Sequence, residues 1–222
     1  MHPVLTKDFP ENQKHGLMIC GINFGYSVED QILDERGFSQ PPEEMSYFSD
    51  VAVNQSQFRN RILRAFSLWG VPLETDADKV SAFERSIFQT NWLDTQTNDA
   101  EGIGWKQLVE SSDGVLQLIT DRQPRLILFF GRQLIEAFND VSLRANVQAS
   151  LGIRSGNGHI LKLPNANGKK MFEVVFQSFG DTQVICFPHI TGAQGLSDDY
   201  IAQFSDSIGG AIMKWRGIYF PS

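Results

Sequence analysis

Two cysteines in 222 residues rule out a disulfide framework, and Cys20 and Cys186 stand too isolated to form a zinc site. Each closes an apolar run, Cys20 just before Gly21 and Cys186 shortly before His189, so both are expected to be buried, reduced thiols. Long hydrophobic runs are missing as well. None approaches the roughly 20 residues a membrane helix needs, and the opening stretch "MHPVLTKDFPENQKHG" lacks the apolar segment of a signal peptide. The expectation is a cytoplasmic protein with no membrane partner, for which the sequon Asn54-Gln55-Ser56 carries no meaning. Positive charge is scarce: 19 Lys and Arg against 26 Asp and Glu leave a net charge of −7. Such a chain has no global electrostatic pull toward nucleic acid. Repeats and low-complexity tracts are absent. So are the G-x-x-x-x-G-K-[ST] and G-x-G-x-x-G loops, which sets aside nucleoside-triphosphate and dinucleotide binding.

What the chain does have is material for a core. It is 41% hydrophobic and 11% aromatic, with 17 Phe, and suits one large domain over residues 1–222 better than two small ones. A first strand is expected from Gly16 to Ile22. A long acidic loop follows, in which Pro41-Pro42 blocks continuous helix. In "QFRNRILRAFSLWG", Phe58, Ile62, Phe66 and Trp69 fall near helical spacing and Gly70 ends the helix, with Arg59, Arg61 and Arg64 on a solvated face. A second strand, Ser86 to Gln89, leads to Asn91. "GWKQLVESSDGVLQLITDRQP" reads as helix. "RLILFF" is a continuous apolar strand covered on both faces, ending at Gly131 before the helix "RQLIEAFND". From Gly152 to Phe179 the turn signals Asn167-Gly168 and Gly180-Asp181 mark an antiparallel excursion. "VICF" is the last core strand, and a helix follows Leu196 through Trp215. Strands alternating with helices imply an α/β fold, a three-layer α/β/α sandwich around a short, mostly parallel sheet.

Ligands in such folds collect at the carboxyl ends of the strands. Asn23, Asn91 and His189 occupy those ends. In "GINFG" an amide sits between glycines where neither residue type favours a strand. The motif serves either a tight turn or a close approach of main chain to a ligand, with Asn23 aimed at it. Thr90-Asn91 would equally make a helix cap or Asx turn. His189 alone reads as a structural histidine, and Tyr47 and Phe48 as packing. A serine hydrolase using Ser27 and His189 lacks a G-x-S-x-G elbow, and Cys186 stands where a lipase-like Asp would be.

"GINFG" resembles the G-x-N-P-G motif of the uracil-DNA glycosylase superfamily, especially its single-strand-selective and mismatch-specific branches. "FPHITGAQGL" resembles that superfamily's late His-Pro-Ser motif and following loop, and "RLILFFGRQLIEAF" the strand, glycine and helix between them. "FQTNWLD" stands where those enzymes carry a base-reading Asn. The resemblance spans Leu17 to about Phe204. It implies hydrolysis of the N-glycosidic bond of uracil or a related damaged base in single- or double-stranded DNA, by a monomer with no metal or cofactor. The target base would be extruded into a pocket. Asn91 would read it through a carboxamide donor and acceptor. Asn23 would position water, and a neutral His189 would donate to the pyrimidine O2. Gly21 and Gly25 would allow close approach. Phe48, ahead of Tyr47 and Phe24, would stack on the base, Thr191 would offer a hydroxyl to phosphate, and Leu196 would act as a wedge. Phe24 replaces the family Pro and brings a bulky ring to the pocket region. Ile190-Thr191 replaces Pro-Ser. No Lys lies on the motifs, which implies monofunctional chemistry. The resemblance also places a strand between those carrying Cys20 and Cys186. The alternative is a non-catalytic nucleobase- or nucleic-acid-binding module of the same fold.

Overall fold

The computed structural model describes residues 2–23, 46, 48–50, 56–93, 103–164, 168 and 172–220. Six strands form one sheet: β1 (Leu17–Gly21), β2 (Ile87–Asn91), β3 (Leu126–Phe130), β4 (His159–Lys162), β5 (Glu173–Phe179) and β6 (Thr182–Phe187), in the order β2-β1-β3-β6-β5-β4. The pairings β1–β2, β1–β3 and β3–β6 are parallel. β5 runs antiparallel to both β6 and β4, and Gly180, at φ 51°, turns the chain between β5 and β6. Among the described residues the α-helices are α1 (Pro10–Gln13), α2 (Gln57–Leu68), α3 (Ala82–Arg85), α4 (Trp105–Glu110), α5 (Asp113–Arg122), α6 (Arg132–Phe138), α7 (Arg144–Leu151), α8 (Asp198–Ala202) and α9 (Gly210–Tyr219).

Every residue of β1, β2 and β3 is buried, which explains the apolar runs of β1 and β3, while β2 buries the polar Gln89, Thr90 and Asn91 as well. Alternation then divides the core between the two faces of the sheet. Leu17, Ile19, Leu128, Phe130, Ile185 and Phe187 pack with Ile62 and Phe66 of α2 and with Tyr200, Ile212 and Trp215 near the C-terminal end. Met18, Cys20, Phe129, Val184 and Cys186 pack on the opposite face with Val115 and Ile119 of α5, Phe138 of α6 and Val147 of α7. Helices therefore cover both faces of the sheet. Among the described residues no helix is long and apolar enough to cross a membrane.

Three local readings change. The helix expected over "GWKQLVESSDGVLQLITDRQP" is two helices, because Ser111, at φ −106° and ψ 21°, leaves helical geometry and α5 restarts after Ser112. The terminal helix is likewise interrupted, with a π-helical segment, Ser205–Gly209, between α8 and α9. Gly209 packs so tightly there that a Cβ would lie 2.0 Å from the Trp69 carbonyl oxygen. Arg59 does not join a solvated face: it is 5% exposed, and its guanidinium donates to the Phe48 carbonyl and to Asn60 Oδ1. These bonds help to offset the cost of a charge at a buried helical position.

The outer edge of β2 is closed by the N-terminal segment. Val4 bridges Thr90 antiparallel, Leu5 N donates to the Gln89 carbonyl at 2.8 Å, and Thr90 Oγ1 donates to the Pro3 carbonyl at 2.7 Å. This short strap occupies backbone groups that an open edge would present to another chain.

Candidate functional site

β1 and β2 end in register, with Gly21 opposite Asn91. Pairing continues past the strands, as Trp92 N donates to the Gly21 carbonyl and Leu93 N to the Ile22 carbonyl, each at 2.9 Å. Asn91 is buried and its carboxamide lies over Gly21, where a Cβ would stand 2.4 Å from Oδ1. A side chain at 21 would therefore push the Asn91 amide out of this position. Asn23 follows two residues later at the same edge and is half-buried. On the far side of Asn91, His2 Nε2 lies 2.6 Å from the Asn91 carbonyl oxygen. A carbonyl only accepts, so His2 donates.

β1 is flanked by β2 on one side and β3 on the other, so the chain reverses direction across the sheet there, the arrangement in which open α/β sheets leave a crevice. The crevice border at β3 is Gly131, at φ 143°, whose N–H donates to the Phe187 carbonyl at 2.9 Å. Ile22 reaches across toward it, with Cδ1 2.9 Å from where a Gly131 Cβ would lie.

His189 stands two residues beyond β6, half-buried at the same end of the parallel strands. Its Nδ1 accepts the Gly192 N–H at 2.9 Å, and the Thr191 hydroxyl lies 3.3 Å from the same nitrogen. An Nδ1 engaged in accepting a backbone amide holds no proton, so the neutral ring carries its hydrogen on Nε2. Burial pushes the imidazole pKa below its usual value, which favours that neutral form at pH 7. Among the described residues nothing bonds to Nε2. This edge therefore offers a buried carboxamide at one end and a neutral N–H donor at the other. The strands bearing Gly21 and His189 are two inter-strand spacings apart, about 10 Å.

No protein-family model matches the sequence, and no curated protein is significantly similar to it. Function is read from the residues themselves.

The structure brings Gly21 and Asn91 into contact and sets Asn23, His189 and Thr191 at the same sheet edge. Phe24, Gly25 and Tyr47 lie outside the described residues. Phe48 is fully buried in the core cluster that contains Ile62, Phe66 and Ile190, so its ring packs on the α2 side of the sheet. Leu196 is buried in the same cluster, and its carbonyl accepts from Arg61 Nη2 at 3.3 Å. Thr191 is exposed and borders a cleft of about 340 Å³ together with Gln57, Asn60 and Arg61.

Cys20 and Cys186 are free and buried at this same end of the sheet. β3 separates them, with Phe129 paired to both, so their Cα atoms lie about 10 Å apart, beyond the roughly 7 Å limit for bridging. Burial pushes the Cys186 thiol up to about 12 and raises Cys20 further, aided by repulsion from Cys186. Neither is a nucleophile at neutral pH.

Two contributors escaped the sequence reading. Gly192 orients His189, and a His-x-x-Gly spacing after a strand was the available signal. His2 supports Asn91 across 89 residues of chain, and no local pattern points to it.

Proposed function

We propose that this chain hydrolyses the N-glycosidic bond of uracil or a related damaged base in DNA, by the chemistry of the uracil-DNA glycosylase superfamily that its motifs resemble. The observation that carries the reading is the shared sheet edge of Asn91, packed over Gly21, and His189, held as a neutral Nε2–H donor. Asn91 pairs with the edge of an extruded base. Asn23 orients a water toward the anomeric carbon of the sugar. The water oxygen bonds to that carbon as the carbon–nitrogen bond breaks, the bonding electron pair leaves with the base, and the water's proton passes to solvent. His189 Nε2–H donates to the base oxygen where negative charge grows. One such donor is worth about 10²- to 10³-fold in rate. A neutral donor suits this task because it stabilises a developing anion without first needing a proton from solvent.

The test is incubation with uracil-containing single- and double-stranded oligonucleotides followed by alkali. Strand cleavage by the wild type that disappears in Asn23→Ala and His189→Ala supports the reading. Binding without cleavage would replace it with a nucleobase- or nucleic-acid-binding module, and neither outcome would leave a scaffold alone.

A further inference from the structure

The group that seats Asn91 lies outside the strands. Trp92 N–H faces β1, where it bonds to Gly21, so the backbone groups of its neighbour Asn91 face outward from the sheet. Residues 2–6 meet that outer edge. Leu5 N donates to the Gln89 carbonyl at 2.8 Å, Gln89 N to Thr6 Oγ1 at 3.2 Å and His2 Nε2 to the Asn91 carbonyl at 2.6 Å. Thr90 Oγ1 also stands 3.3 Å from the Asn91 carbonyl, but its short bond, at 2.7 Å, goes to the Pro3 carbonyl. A hydroxyl has one hydrogen to give, which leaves His2 as the donor that holds Asn91. The imidazole is bounded on its other side by a glycine. At Gly114, in the first turn of α5, a Cβ would lie 2.6 Å from His2 Nδ1 and 3.3 Å from Cγ. Gly114 has no left-handed φ, so its backbone does not call for glycine, and glycine weakens a helix relative to alanine. The missing side chain is what makes room for the ring.

We infer that His2 is the positioning residue for Asn91. Seated in the notch between Gly114 and the Asn91 carbonyl, it fixes the end of β2 so that the carboxamide stays over Gly21. The inference rests on Asn91 as the base-reading group and adds what holds it ready. It assigns His2 to affinity for the base, since His189 is oriented independently by Gly192.

Two measurements test it: steady-state excision from a uracil-containing single strand, and the Asn91 side-chain amide resonances of the ligand-free protein. His2→Phe fills the notch but donates nothing. It should shift those resonances and raise KM about 2- to 10-fold, the worth of one neutral hydrogen bond, with kcat held. His2→Gln restores a donor and should bring both readings back toward wild type. Gly114→Ala crowds the ring and should reproduce His2→Phe. In a His2→Ala background the same alanine should leave the Asn91 resonances unmoved and raise the unfolding midpoint, which separates positioning from a folding defect. Unchanged resonances and KM in His2→Phe and Gly114→Ala would overturn the inference. So would equal losses in His2→Gln and His2→Phe, because packing and not the donor would then matter. Resonances that move in His2→Phe in a protein that excises nothing would keep the seating of Asn91 and sink the excision reading. Excision with KM and resonances indifferent to His2 would do the reverse.

Discussion

Replacing Gly192 by alanine should disable His189 with little damage to the fold. Gly192 has no left-handed φ, so its backbone accepts a side chain. The obstacle is contact: a Cβ there would lie 2.9 Å from His189 Nδ1 and 3.5 Å from Cε1. The ring must move by several tenths of an ångström, which stretches the 2.9 Å bond from Gly192 N–H. Loss of one such bond costs about 0.5–1.5 kcal/mol, and on an exposed loop the unfolding midpoint should fall by only a few degrees. If His189 acts as proposed, the loss of rate is larger, because a catalytic group displaced by about 1 Å can lose 10²-fold. ¹⁵N spectroscopy of the imidazole supplies a readout independent of activity. The wild type should show the Nε2–H tautomer and titrate below the usual histidine pKa of about 6.5. The sign follows from burial: between the lowered folded pKa and about 6.5 the unfolded chain binds more protons, so stability falls as pH drops through that window. Gly192→Ala should mix in the other tautomer and bring the titration back toward 6.5. An alanine variant with wild-type tautomer, titration and excision rate would refute the reasoning.

Other outcomes follow from the same geometry. Gly21→Ala places a Cβ 2.4 Å from Asn91 Oδ1 and should cost about 1–3 kcal/mol in denaturant unfolding, while displacing the Asn91 side-chain amide resonances. His2→Ala removes the bond to the Asn91 carbonyl and should cost about 1 kcal/mol. The Trp92 and Leu93 amides should then exchange hydrogen faster while β3 amides do not. Phe129→Ala opens the aromatic cluster with Trp92 and Phe138 and should cost about 3–5 kcal/mol by chemical denaturation. Cys20 and Cys186 should resist iodoacetamide in the native protein at pH 8 and react fully in guanidinium, as counted by mass spectrometry.

Much of the scaffold is legible in the sequence because buried parallel strands announce themselves as apolar runs. "LMIC", "LILFF" and "VICF" stand out for that reason, and each leads to a polar or glycine residue at the carboxyl edge of the sheet. The strand order is hidden, since parallel pairings such as Leu17 with Ile87 and with Leu126 join residues far apart in the chain. Periodicity misjudges Arg59 because it sorts by residue type, whereas burial there follows from acceptors supplied by Phe48 and Asn60. The same limit applies to Phe48, whose aromatic character fits stacking or packing until its neighbours are known. The interruption around Gly209 sits against the Trp69 carbonyl, a tertiary contact that helix propensity does not weigh. His189 was recognisable from its place after the last strand. Its tautomer was not, because that depends on the turn that folds Gly192 back onto the ring.

The most direct measurement is an NMR titration of the protein with free uracil, following the Asn91 side-chain amide and the His189 Nε2–H together. Both signals should move along a single saturating curve, as they must if carboxamide and imidazole grip opposite parts of one base. Movement of only one, or of neither at saturating uracil, would mean that the two groups do not share a ligand.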